Sequence, residues 1–194
     1  MVRTASIMTL SDLQFDIEKV NHSKASRAHA VNLVVDHLEV IPELVDRAFS
    51  DEKNHFKYCW WLEFLNRQHI EVLCPYMEII LEKAQHLTNQ SAIRPIAKII
   101  ETFVLNNYSK NPNNFVRDMM TSTIKEMMVS RGFEWLIDDQ LKVAPRAYSM
   151  TSLYHLGKDI DWVHEELKLV IEQNYAHESV AYQARGRMIL KKLK

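Results

Sequence analysis

Glycine and proline are scarce in this sequence: its 194 residues include only 3 Gly and 5 Pro. Average usage is about 7% glycine and about 5% proline. Hairpin turns draw heavily on glycine, and phosphate-binding loops need several glycines close together. The scarcity therefore argues against an all-β fold, a Rossmann domain and a P-loop enzyme.

Cysteine and long hydrophobic runs are scarce as well. The two cysteines, Cys59 and Cys74, are too few for a disulfide framework, and their apolar neighbours favour a reducing compartment. No stretch approaches the roughly 18 apolar residues of a membrane span, and residues 1–10 lack the apolar segment of a signal peptide. We therefore expect a cytoplasmic protein without membrane contact.

Neither sign of charge dominates. The chain has 24 Lys and Arg against 25 Asp and Glu, so its formal net charge at pH 7 is -1. Proteins that bind nucleic acid usually carry a clear excess of positive charge. Nucleic acid is therefore a disfavoured partner on composition alone.

Apolar residues recur with the periodicity of an α-helix along almost the whole chain. Leu73, Met77, Ile80, Leu81 and Ala84 repeat with the spacing of one helix face. Capping and breaking residues divide the chain into about nine or ten helices. The predicted breaks lie near residues 50–51, 68–69, 88–91, 106–114, 132, 138–140, 157–161 and 175–179. The sequence thus predicts an all-α fold.

The helices are expected to form a single domain over residues 1–194. Residues 1–10 are predicted to be a flexible N-terminus. Residues 11–36 are predicted to form N-terminal capping helices, the first beginning at Ser11-Asp12 and the second at Ser23 or Ser26. The remainder, 37–194, is predicted to form about four units of two helices each.

A degenerate internal repeat supports these units. The segment His37–Val40 (HLEV) recurs at His69–Val72 (HIEV), and each copy is followed by a proline, Pro42 or Pro75. A shorter apolar–acid–apolar pattern returns at residues 133–135 and 160–162. The predicted second helices of the units are Phe56–Leu65, Ile93–Val104, Val143–Leu156 and Val180–Leu193.

One helix pair cannot bury its own apolar face, so successive pairs must stack on one another. The sequence therefore predicts an α-α superhelix of antiparallel helix pairs, with an irregular helical bundle as the alternative.

This pattern resembles HEAT or armadillo-type repeats. The resemblance covers roughly residues 30 to 194 and depends on a first helix with proline and a second helix with an early basic residue. It implies a HEAT-like scaffold whose second helices line a concave binding surface. Residues 142–157 and 162–193 also resemble short bacterial all-helical proteins, some of them labelled adenylosuccinate lyase. The lyase loop pattern SSxMPxKxNP has no match in this chain.

The early basic residues of the second helices are the main candidate site. They are Lys57, Arg94, Arg146 and Arg185. If they project in register, they line a groove suited to an acidic peptide or a phosphate. The alternative is a ladder of Asp–Arg or Glu–Arg contacts between repeats, which would be structural. Trp61 is a candidate partner contact beside them, or a core residue.

Catalytic and metal-binding patterns are weak. Glu52-x-x-His55 has the spacing of a di-iron ligand pair but occurs once, which favours a helix cap. Cys59 and Cys74 are expected to be inert core residues. No nucleophile–base set or carboxylate pair stands out, so no cofactor or metal is expected and an enzymatic role is left uncertain.

The favoured function is therefore a non-enzymatic scaffold that binds a protein or peptide partner. The alternatives are a DNA-binding protein similar to HEAT-like DNA glycosylases and a lyase as labelled in the similar proteins.

Overall fold

The computed structural model describes residues 9, 11–12, 19, 21, 23–50 and 52–193. The predicted first helix from Ser11 and the predicted flexible N-terminus lie largely outside the described residues. The predicted all-α fold is confirmed, since the described residues form helices and no strand. None of the described helices is both long and apolar enough to cross a membrane.

In the part of the chain that the structure describes, eleven α-helical segments follow one another, with short 3-10 turns at Leu38–Val40, Cys74–Tyr76 and Tyr175–His177. The helices are α1 (Lys24–Val35), α2 (Ile41–Ala48), α3 (His55–Gln68), α4 (Ile70–Leu73), α5 (Met77–Ala84), α6 (Gln90–Asn107), α7 (Asn114–Met119), α8 (Ser122–Ile137), α9 (Val143–Leu156), α10 (Trp162–Asn174) and α11 (Val180–Lys192). All four predicted second helices are present, as α3, α6, α9 and α11.

Two rows of helices result from the packing. The second-helix row consists of α3, α6, α9 and α11, each in contact with the next. The first-helix row consists of α2, α5, α8 and α10, with contacts from α5 to α8 and from α8 to α10. Contacts of α2 with α3, and of α9 with both α8 and α10, join the rows around one apolar core. The fold is therefore all-α, with helices that pack against one another around this core.

The repeated His segments have the same local geometry. His37 and His69 have φ of -142° and -136° with ψ of 63° and 64°, and each precedes a helical turn. The carbonyl of each accepts a hydrogen bond of 3.1 Å from the residue three positions on. In contrast, residues 133–135 lie inside α8, whereas residues 160 and 161 precede α10 and residue 162 is its first residue, so the predicted equivalence of these later segments is wrong.

All three glycines lie at close contacts, and Gly157 also ends a helix, as predicted. Gly132 lies within α8, where a Cβ would be 3.0 Å from Leu153, so the break predicted there is wrong. Gly157 ends α9 with a φ of -66°, and a Cβ there would lie only 2.2 Å from the His164 ring. Gly186 packs against Ile171 of α10, as expected for a glycine inside a helix.

Candidate functional site

The predicted basic residues all lie on the second-helix row, but in different environments. Arg94 is part of α6 and its side chain is 35% exposed. Arg185 is part of α11 and is half-buried. Lys57 is partly buried in the first turn of α3. Arg146 and Trp61 are almost fully buried.

Arg94 and Arg185 take part in two of three contacts that join neighbouring helices of the row. We call this set the polar line: Glu63, Arg94, Lys98, Tyr148, Thr151 and Arg185. From α6 to α3, Arg94 donates to Glu63 at 2.8 Å. From α6 to α9, the Lys98 ammonium lies 4.8 Å from the centre of the Tyr148 ring. From α11 to α9, Arg185 donates to the Thr151 hydroxyl at 3.1 Å. Every boundary between neighbouring second helices thus has a cationic contact.

The residues of the polar line that share a helix also lie on the same face of it. Arg94 and Lys98 are one turn apart on α6, and Tyr148 and Thr151 are three residues apart on α9. Side chains at these separations lie on the same helix face. Sequence reasoning missed Lys98 and Tyr148, although the four-residue spacing from Arg94 is a signal that would have found Lys98.

Two buried carboxylates hold the cations in place. Glu63 is 0% exposed and accepts hydrogen bonds from Arg67 at 2.5 Å and from Arg94. Glu101 is nearly buried and pairs with Lys98 at 2.7 Å. A guanidinium has five N–H donors, more than its contact with Glu63 uses. Glu63 and Glu101 therefore fix the positions of the Arg94 and Lys98 side chains, whose remaining N–H donors are left for other partners.

Arg146 does not project into a groove as predicted, because neighbouring segments cover it. It is 3% exposed. Its Nε donates to the Leu136 carbonyl at 3.1 Å, and its guanidinium pairs with Glu178 at 2.5 Å and lies 4.7 Å from the Tyr182 ring. Arg146 therefore ties α8 to the segment that leads into α11. Arg146 with Glu178 and Arg94 with Glu63 are Glu–Arg contacts of the kind that the structural alternative predicts.

Trp61 faces the core rather than the surface. It is 2% exposed, whereas the adjacent Trp60 is only partly buried. Adjacent residues on a helix point about 100° apart, so one tryptophan of the pair turns inward, and that one is Trp61. It supplies packing under the second-helix row and presents no surface for a partner.

The two rows differ in charge. The helices of the second-helix row carry nine Lys or Arg against two Glu, a formal charge of +7. The helices of the first-helix row carry five Lys or Arg against nine Asp or Glu, a formal charge of -4. The near-zero net charge of the whole chain therefore divides between two rows of helices with formal charges of opposite sign.

A second polar cluster joins Tyr108 at the end of α6, Lys125 on α8 and Asp159 in the turn between α9 and α10. The Tyr108 hydroxyl donates to Asp159 at 2.7 Å, and Lys125 contacts the same carboxylate oxygen at 2.5 Å. Burial and the bond to Asp159 raise the pKa of Tyr108. Although partial burial opposes it, the contacts with Lys125 and Tyr108 lower the pKa of Asp159. Sequence reasoning missed this cluster, since its members are up to 51 residues apart.

His155 lies beside that cluster in a setting that keeps its ring neutral. Burial, followed by the charges of Lys158 and Lys192, lowers its pKa to about 4. Its ring contacts Tyr154 edge-on at 5.1 Å and Tyr108 at 5.7 Å between centroids. The neutral His155 ring therefore packs between the two tyrosine rings. The positive charge nearby belongs to Lys158 and Lys192.

The remaining candidates have structural surroundings. Glu52 pairs with Arg47, and His55 contacts the Ala48 carbonyl at 3.0 Å, so the two side chains of the Glu-x-x-His pattern do not converge. Within the described part of the chain, no group of three His, Cys, Asp or Glu is arranged to hold a metal ion. Burial raises the pKa of both thiols, that of Cys74 to about 11.

No family model matches the chain, and neither a curated protein nor a solved structure is significantly similar to it. The resemblance to HEAT repeats therefore depends on the residues and on the helix order alone.

Proposed function

We propose that this chain is a HEAT-like, non-enzymatic scaffold that holds an acidic segment of a partner protein across its second-helix row. The observation that carries the proposal is the polar line, which crosses all three helix boundaries of a row with a formal charge of +7. Cations placed at intervals along one surface are suited to carboxylates placed at intervals along a peptide.

The dimensions of the row suggest the length of that segment. Packed helices are about 8–10 Å apart, so the axes of α3 and α11 are roughly 27 Å apart along the row. An extended peptide advances about 3.3 Å per residue, so about eight residues span this distance. Arg94 near one end and Arg185 near the other would each donate to a carboxylate of the bound segment.

Preorganisation favours binding by these cations. Arg94 and Lys98 are already held by Glu63 and Glu101, so less side-chain freedom is lost when a ligand binds. Charge-assisted hydrogen bonds contribute about 1.5–3 kcal/mol each. Two or three of them would supply about 3–9 kcal/mol, and micromolar affinity corresponds to about 8 kcal/mol, so apolar contacts of the bound segment must supply the rest.

An acidic protein segment is favoured over a nucleic acid. Duplex binding requires an extended stripe of phosphate contacts. On this row, Glu63 and Glu101 interrupt the positive charge and already occupy part of its donors. The spaced cations therefore fit spaced carboxylates better than a continuous run of phosphates.

The test measures binding of a fluorescein-labelled peptide rich in Glu, with a few Leu residues, by fluorescence anisotropy. The double variant Arg94→Gln/Arg185→Gln removes two charges from the polar line and leaves Glu63 paired with Arg67. We expect its affinity to be about tenfold weaker, the equivalent of about 1.4 kcal/mol. The interaction should also weaken with added salt.

The matched control is Arg47→Gln/Lys83→Gln, which removes the same charge from the first-helix row. It should bind the peptide as the unmodified protein does. Equal weakening by both variants would show a general charge effect and contradict the proposed surface. Tighter binding of duplex DNA than of the peptide, lost in the same double variant, would assign the surface to nucleic acid instead.

A further inference from the structure

An open apolar groove lies on the other side of the molecule, between α8 and α10 of the first-helix row. Its volume is about 710 Å³, and its floor includes Val129, Phe133, Ile160 and Val170. The rings of Phe133 and Trp162 stack in it with their centroids 5.6 Å apart. The groove is therefore lined by aromatic and aliphatic side chains from both helices.

Two large apolar side chains on its edge are exposed to an extent that monomer packing does not explain. Trp162 is 55% exposed and Ile137 is 59% exposed, and both line the groove. Contiguous exposed apolar surface of this kind marks interaction sites. Tryptophan is also among the residues that contribute most binding energy at protein interfaces.

The rim of the groove is acidic. Glu126, Glu134 and Glu166 line it together with the apolar residues. Glu134 pairs with Arg131, whereas Glu126 and Glu166 have no ion pair among the described residues. A ligand with apolar groups at its centre and cations at its edges would satisfy both parts of this surface.

We propose that this groove binds an amphipathic helix of a partner protein, with large apolar residues on one face and Lys or Arg along the flanks. A helix that lies between two others presents residues at positions i, i+3, i+4 and i+7 to the groove. The charge of the rim selects against an anionic lipid surface or an acidic peptide. This proposal is independent of the proposed function, because it uses the opposite row and the opposite charge.

A second copy of the chain is the competing occupant. The exposed side of α11 carries Val180 and Met188 with Arg187 and Lys191, which also combines apolar and basic groups. Such a contact joins two different surfaces of the same molecule and leads to a ring or an open chain of copies. We expect the purified protein to remain monomeric instead, because Val180 and Met188, the large apolar side chains exposed on α11, are eight residues apart and do not form the i, i+3, i+4 and i+7 face that the groove requires.

The experiment uses the full chain and a fluorescein-labelled synthetic helical peptide of Leu, Ala and Lys, with Leu on one face and Lys on its flanks. The control peptides are a scrambled sequence of the same composition and a version with Glu in place of Lys. We expect saturable binding of the first peptide alone. Equal binding of the scrambled peptide would overturn the proposal, because it would show attraction of charge without recognition of an apolar face.

Variants of the protein locate the site. Trp162→Ala should weaken binding by about tenfold or more, as expected for an interface anchor, and Glu126→Gln/Glu166→Gln should weaken it by about threefold to tenfold. The matched controls are Phe115→Ala, an exposed aromatic residue on α7, and Glu78→Gln/Glu82→Gln on α5. Both controls should bind normally, as should Arg94→Gln/Arg185→Gln.

Two results would contradict the proposal. Unchanged binding in Trp162→Ala would place the peptide elsewhere. Light scattering that shows assemblies of the protein alone, dispersed by Lys191→Glu, would assign the groove to a second copy. Failure of the acidic peptide to bind the polar line would leave this groove unaffected, so the two proposals fail separately.

Discussion

The buried carboxylate of Glu63 allows a quantitative test of the second-helix row. Glu63 is 0% exposed and is held by two guanidiniums, of Arg67 at 2.5 Å and of Arg94 at 2.8 Å. Removing one partner leaves the other in place. Removing both leaves a buried charge without compensation, which costs about 3–5 kcal/mol in other proteins.

Because both arginines are partly exposed, the free-energy cost of removing them is smaller than for a fully buried pair. Both guanidiniums are more than a third exposed, so water screens part of each interaction. We expect Arg67→Met or Arg94→Met alone to lower the free energy of unfolding by about 1 kcal/mol. The double variant should lower it by about 3 kcal/mol, which exceeds the sum of the two.

Urea unfolding followed by circular dichroism measures these differences. Adding Glu63→Gln to the double variant removes the orphaned charge and should restore about 1–2 kcal/mol. Additive single effects within about 0.5 kcal/mol, with no recovery in the triple variant, would contradict a buried carboxylate shared by the two arginines. That result would mean that Glu63 is solvated or shifts its position.

Three further predictions concern the packing around the row. Gly157→Ala should destabilise the fold by about 1–3 kcal/mol because the added Cβ would meet the His164 ring. In a protein that already carries His164→Ala, adding Gly157→Ala should lower the stability much less. His155 should titrate by NMR near pH 4, and its depressed pKa means that stability is lost as pH falls from about 6.5, the pKa of the unfolded chain, toward 4; titration near 6.5, or no upward shift in Lys192→Gln, would contradict this. Cys59 should resist a thiol reagent until the protein unfolds, since burial raises its pKa and excludes the reagent; rapid modification of the native protein would show that the helix opens.

Most of the helix boundaries could be predicted from the sequence because local signals determine them. Ser23 caps α1 through its hydroxyl, and the breaks after α3, α6 and α10 lie where polar and capping residues cluster. The break predicted at Gly132 was wrong because this glycine lies inside a helix, where its small size allows close packing against Leu153 of the next helix. The sequence identifies the glycine but not the side chain that packs against it.

The candidate site could be predicted only in part. The spacing of Arg94 and Arg185 on second helices was visible, and both belong to the polar line. The burial of Arg146 could not be foreseen, because the segment that covers it includes Glu178, 32 residues later. The groove at Trp162 was missed for a related reason: its two walls are separate helices, and each alone has an ordinary amphipathic pattern.

The most direct test of the scaffold function is hydrogen–deuterium exchange of the full chain with and without the Glu-rich peptide. We expect slower exchange in α6 and α11, which carry the cations Arg94, Lys98 and Arg185, and in α9, which carries their partners Tyr148 and Thr151. Exchange in α2, α5 and α8 should not change. Protection confined to the first-helix row, or none at saturating peptide, would contradict this expectation.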